Sequence, residues 1–213
     1  MRAVKTQVLT DCWVSMAWDE YVTCSEEPSL KSAKCYYHEG HGRFEMLPVG
    51  PNHAKDHTVA NDAIKLFCIL KFIPITVLDN ASYRKAGCDE CQPDLSAYVG
   101  DKANKVPSSG GFINLDLQAA PDLAIEVANT SFLDDIGAKR SLYETLNISE
   151  YWIVNVAKAE VTAFEILNQG SQRIATSKLL KGFEFSVLEE ALRRSRKTDQ
   201  SKVGNWLMQQ FQS

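Results

Sequence analysis

The sequence predicts an α/β or α+β fold, with a central mixed sheet flanked by helices and an N-terminal helix and hairpin. Three observations carry this. Residues 122–128 are nearly continuous apolar sequence, the pattern of a strand buried on both faces. Apolar residues recur at helical spacing before it, in Ala60, Ala63, Ile64, Phe67 and Cys68, and after it, in Ile136, Tyr143 and Leu146. Short extended runs separated by Gly and Asn turn signals read as hairpins.

In order, residues 12–22 read as an amphipathic helix with Trp13, Ala17, Trp18 and Tyr21 as its apolar positions. Residues 34–38 and 43–49 flank Gly40-His41-Gly42 as a hairpin, which Pro48, Gly50 and Pro51 end. A second helix covers 53–71, and a strand 74–78. Residues 83–91 are polar and turn-like. Pro93 introduces a strand that carries Asp94. Residues 100–120 form a long loop with one extended piece at 112–115, and a loop of that length often serves function or assembly. After the strand at 122–128, a helix spans 133–146. Strands at 151–156, 161–167 and 173–179 form a meander, with a turn at Asn168-Gln169-Gly170. The last helix is 187–196. The whole, residues 1–213, reads as one domain with its core at about 12–192 and a tail at 193–213, in which Trp206, Leu207 and Phe211 are free to pack on the domain or on a second subunit.

Composition narrows the class. The chain has 213 residues, 45% hydrophobic and 23% charged, enough for a sizeable core. No run approaches about eighteen apolar residues, so no transmembrane helix is expected. The first residues lack the apolar core of a signal peptide, which places the protein in the cytoplasm. Six irregularly spaced cysteines then read as reduced thiols. Cys88 and Cys91 form a single CxxC, where a structural zinc site needs a second pair or suitable histidines. Net charge is −4 and pI about 5.6, so binding to nucleic acid by a bulk basic face is excluded. Contact would come from local patches and a metal.

The chemistry concentrates in residues 92–154. Glu126 sits in LAIEVA, flanked on its own strand face by Ala124 and Ala128. Burying that carboxylate without a partner is costly, so it marks either a site or a buried salt bridge. Asp94 follows Pro93, where an Asp also caps turns. Its value comes from pairing with Glu126. Lys139 is the odd member of the stripe Ile136, Lys139, Tyr143, Leu146. It either snorkels to water or turns its head toward both carboxylates. Two acids suit Mg²⁺, which keeps several waters and accepts a phosphate oxygen. A lysine stabilises the charge that develops on phosphorus.

Four segments, YYHEGHGRFEMLPVGPNH, QPDLSAYV, PDLAIEVANTS and DDIGAKRSLYETLNISEYWIV, together resemble the Uma-two family of the PD-(D/E)xK, restriction-endonuclease-like superfamily. The resemblance runs from about Trp13 to Ala191. It implies an α-β-β-β-α-β core and a Mg²⁺-dependent endonuclease, with Mn²⁺ as a substitute ion and DNA as substrate. Asp94, Glu126 and Lys139 are the implied catalytic set, with Asp94 and Glu126 on the metal. The superfamily lysine normally stands two residues after the acid. Ala128 stands there, and the lysine has migrated to Lys139. Glu45 and His53 are auxiliary candidates, Glu45 as a third ligand or as a hydrogen-bond partner of a ligand water, and His53 as a cleft or capping residue. His57 follows His53 at i+4, the spacing of a metal pair, but without the glutamate of HExxH. Arg193, Arg194, Arg196 and Lys197 read as a solvated helix end. Cutting two strands suits two sites, hence a homodimer. The rival readings are a non-catalytic nucleic-acid-binding or assembly protein on the same fold, and a hydrolase of smaller phosphate esters.

Overall fold

The computed structural model describes residues 8–46, 50–107, 110–168 and 170–212. Its centre is a six-stranded sheet in the order β12-β11-β10-β9-β7-β4. The strands are β4 (Ile75–Asp79), β7 (Leu95–Val99), β9 (Leu123–Ala128), β10 (Glu150–Asn155), β11 (Glu160–Leu167) and β12 (Gly170–Ile174). β9 and β10 run parallel and every other neighbour antiparallel. The parallel pair needs a crossover, which the helical segment at 132–145 supplies. With α2 (Pro51–Leu70) ahead of β4, the central sheet and its helices follow the α-β-β-β-α-β order that the resemblance implies.

β9 is buried along its whole length. Leu123, Ile125 and Val127 face one core, shared with α2, α5 (Phe185–Ser195) and α6 (Gln200–Gln212). Ala124 and Ala128 face a second core with Tyr36, Tyr143 and Tyr151. That second core is closed by another sheet, in the order β1-β3-β2-β6-β5-β8. It comprises β1 (Val14–Ser15), β2 (Lys34–His38), β3 (His41–Glu45), β5 (Tyr83–Lys85), β6 (Asp89–Cys91) and β8 (Ile113–Asn114). α1 (Trp18–Ser25) packs Tyr21 against Tyr37 and Phe44 on the outer face of this sheet.

Several sequence expectations shift. The first helix begins at Trp18 rather than residue 12, because Val14 and Ser15 pair with Gly42 and His41. The hairpin turn is Glu39-Gly40, both at positive φ, which matches the twist of the flanking strands. Gly42 lies inside β3, where an added Cβ would meet Met16 Sδ at 2.6 Å. The extension of that strand to residue 49 lies outside the described residues, as does Gln169 of the later turn. The polar stretch 83–91 is a hairpin, β5 and β6, whose buried acids are paired: Asp89 with His38 and Glu90 with Arg84. The third meander strand is Gly170–Ile174, set by its register on β11. The tail is not loose: Val203, Leu207 and Phe211 bury one face of α6 at i, i+4, i+8 spacing. Arg194 stacks over Trp206, and Arg196 is held by Asp56. All six cysteines are free. Among the described residues, no helix is long and apolar enough to cross a membrane.

Where a continuous helix is expected over 133–146, the chain forms a short α3 (Phe132–Asp134), a π-helical turn over Asp135–Lys139, and α4 (Arg140–Thr145). Such widened turns recur at functional sites. Here Asp135 and Lys139 bracket the turn and are both buried.

Glu150 shows what a purely structural buried acid looks like. It accepts from Trp152 Nε1 (2.9 Å), Ser177 Oγ (2.8 Å), Lys178 N (2.5 Å) and Leu179 N (2.7 Å). Every partner is an uncharged donor, and together they pin the loop after β12. Glu150→Gln replaces an acceptor oxygen with a donor among donors. It should cost about 2–3 kcal/mol in urea unfolding without changing any chemistry of the molecule.

Candidate active site

The five candidates Glu45, His53, Asp94, Glu126 and Lys139 line one cleft of about 350 Å³. β9 is central because both its neighbours shape that cleft. Asp94 lies just before β7, whose Leu95 pairs with Ile125 of β9. The ladder between these strands stops there. The next free N–H of β9, at Val127, donates to Asp94 Oδ2 at 2.7 Å. The Asp94 carboxylate thus substitutes for a strand and is fixed by it. Lys34 Nζ, from the first residue of β2, lies 2.5 Å from Asp94 Oδ1. His53 Nε2, from the first turn of α2, is 3.7 Å from Oδ2. Burial raises the Asp94 carboxyl, but the nearby His53 and the Lys34 charge outweigh it and hold it well below the usual range.

Glu126 is 2% exposed. Tyr143 OH donates to its Oε1 at 2.6 Å, and Tyr36 OH lies 3.1 Å from the same atom. Tyr36 has one proton and a better acceptor in Gln92 O, at 2.7 Å. Lys139 Nζ is 3.6 Å from Oε1. Burial pushes the Glu126 carboxyl up to about 8; Lys139 pulls against this, and repulsion from Asp94 adds to it.

Lys139 does not snorkel. At 1% exposure its ammonium sits among three carboxylates: Glu45 at 2.9 Å, Asp135 at 3.0 Å and Glu126 at 3.6 Å. It also lies 4.1 Å from the Tyr36 ring centre. Burial disfavours its charge, yet Glu126, Glu45 and Asp135 more than offset that, and its pKa is raised. Glu45 is raised by burial and lowered further by Lys139 and by Arg43, whose Nε donates to it at 2.8 Å. His57 turns elsewhere, with Nε2 3.0 Å from Asp94 O and 3.2 Å from Asp79 Oδ1.

Sequence reasoning passed over Lys34, Tyr36 and Asp135. A signal existed for the first two: in β2, Lys34, Tyr36 and His38 alternate onto one face, all buried. A lysine on a buried strand face is the same anomaly as Glu126 in LAIEVA. Asp135 carried a different signal: it stands four residues before Lys139, the spacing that puts two helix side chains on one face.

The family model that matches the chain spans residues 18–198 and is described as Uma2, "Putative restriction endonuclease". The chain belongs to the Uma2 family. A solved structure titled a putative nuclease belonging to DUF820, from Anabaena variabilis, superposes with a TM-score of 0.59 at 14% identity. The match covers 83% of this chain and 99% of that one, and at that identity it shows the shared fold. The comparison with curated proteins gives no match. As a Uma2 chain, the molecule combines a nuclease-type fold with a cleft of hard oxygen donors and fixed cations.

Proposed function

We propose that this chain is an endonuclease that hydrolyses phosphodiester bonds in DNA, with Mg²⁺ as its working ion and Mn²⁺ as a substitute. The observation that carries the reading is the meeting of Asp94, Glu126 and Lys139 in one cleft from three separate elements. The donor set suits the ion. Magnesium takes one or two carboxylates and completes its shell with waters and phosphate oxygens. Among the described residues no group of three or more His, Cys, Asp or Glu is arranged to hold a metal, so a two-carboxylate site open to substrate is the form available. Burial, with Asp94 adding to it, pushes the Glu126 carboxyl up against the pull of Lys139, and a divalent ion would favour its charged form.

When bound, such an ion polarises a phosphoryl oxygen and eases deprotonation of a water. The chain's own residues do the rest. Val127 N–H holds Asp94 with Oδ1 toward the cleft. Tyr143 keeps Glu126 in one orientation. Lys139, kept charged by its carboxylates, offers a fixed positive charge to the phosphate as negative charge grows on it. Glu45 holds that ammonium in place at 2.9 Å. A homodimer would present two such clefts to two strands.

Incubation with plasmid, single-stranded DNA and RNA in Mg²⁺ or Mn²⁺ tests the proposal. Plasmid should be nicked and linearised, and Asp94→Asn should do neither. Binding of DNA without cleavage of any substrate would leave a binding module on the nuclease fold instead.

A further inference from the structure

Of the cleft cations that the proposed chemistry does not use, Arg43 is held by Glu45 and Asp134, and Lys34 stands on Asp94. It opens β2, directly opposite Glu45 of β3, and its side chain is 10% exposed. Its ammonium lies 2.5 Å from Asp94 Oδ1. The other oxygen, Oδ2, takes the Val127 N–H and faces His53. Oδ1 takes no backbone donor, and Lys34 is on it.

The two lysines of the cleft are held very differently. Lys139 is tied to Glu45, Asp135 and Glu126 together, and Tyr36 lies under it. Lys34 is tied to Asp94 at the end of a flexible four-carbon stem. A cation arriving on Oδ1 would meet the ammonium at hydrogen-bond distance, and like charges in a buried cleft repel strongly. Of the two lysines, Lys34 has the weaker hold and sits on the contested atom.

Resting on the metal-dependent reading above, we infer that Lys34 is a built-in counter-ion that occupies the cation position on Asp94 and must be displaced for a divalent ion to bind. It keeps Asp94 ionised and ordered without metal, and it weakens metal affinity in return. Displaced, its ammonium remains at the cleft wall, where an incoming phosphate would meet it.

The test is Mn²⁺ binding, followed by calorimetry and by the electron paramagnetic resonance of free Mn²⁺, on wild type, Lys34→Met and Lys34→Arg. Lys34→Met should bind about tenfold tighter than wild type, the scale of one lost charge-assisted hydrogen bond. Lys34→Arg should stay near wild type. The thermal shift on adding Mn²⁺ should likewise be larger for Lys34→Met, since its apo form has lost the Asp94 partner. Should Lys34→Met fail to fold, a Mn²⁺-bound crystal structure of wild type decides the matter. The Lys34–Asp94 bond should be broken there, and an intact bond beside a bound ion overturns the inference. Equal affinities in wild type and Lys34→Met overturn it too, while leaving the metal reading in place. No Mn²⁺ binding by wild type or either variant overturns both.

Discussion

Lys139→Met should cost about 3–5 kcal/mol of stability at pH 8 and abolish cleavage. The loss follows from what the ammonium holds together. Glu45, Asp135 and Glu126 converge on it within 3.6 Å, and methionine leaves two buried acids and a half-buried one, Glu45, facing one another, with Arg43 still on Glu45. Those acids can escape only by taking up protons, so the deficit should shrink between pH 8 and pH 5. Urea unfolding at the two pH values reads both the size and the trend. A deficit under about 1 kcal/mol at both would mean that the three carboxylates do not depend on Lys139.

Glu126→Gln should separate stability from chemistry. Cleavage should fall by at least about a thousandfold, because an amide is a poor ligand for a hard cation. The fold should not suffer. Burial raises the folded-state pKa of Glu126 to about 8, above its ordinary value near 4.5. A raised carboxyl pKa gives stability that is fully present below the unfolded value and is lost as pH rises through the folded one. Wild type therefore gives up stability between pH 5 and pH 8 that the glutamine variant cannot give up. Thermal melts of the metal-free proteins should show Glu126→Gln gaining on wild type across that window. A variant that falls behind as pH rises would mean that Glu126 is held ionised, with Lys139 outweighing its burial.

Much of this architecture is legible in the chain because periodicity reports burial. Residues 122–128 announce a strand buried on both faces, and the alternation puts Glu126 with Ala124 and Ala128 on the side opposite Leu123, Ile125 and Val127. α2 shows its apolar face plainly, and its observed span, Pro51–Leu70, differs from the expected one by a residue or two. What escapes is whatever depends on distant partners. The β5–β6 hairpin looks like a turn because Asp89 and Glu90 are charged, and their burial is made tolerable by His38, remote in sequence, and by Arg84 across the hairpin, a pairing that exists only once the hairpin forms. α6 was legible at i, i+4, i+8 in Val203, Leu207 and Phe211, but its polar remainder reads as a tail. In the cleft, two residues were readable and went unread: Asp135 from its i, i+4 spacing to Lys139, and Lys34 from its place on the buried face of β2. What no spacing rule foresees is the π-helical turn that carries Asp135 and Lys139.

The central claim is that Asp94 and Glu126 form a divalent-ion site that cuts DNA, and chelation with add-back tests it most directly. Protein stripped with EDTA should leave supercoiled plasmid intact. Millimolar Mg²⁺ or Mn²⁺ should restore nicking to wild type and not to Glu126→Gln. Cleavage that persists in EDTA, or a Glu126→Gln variant that cuts as fast as wild type on add-back, would contradict the account.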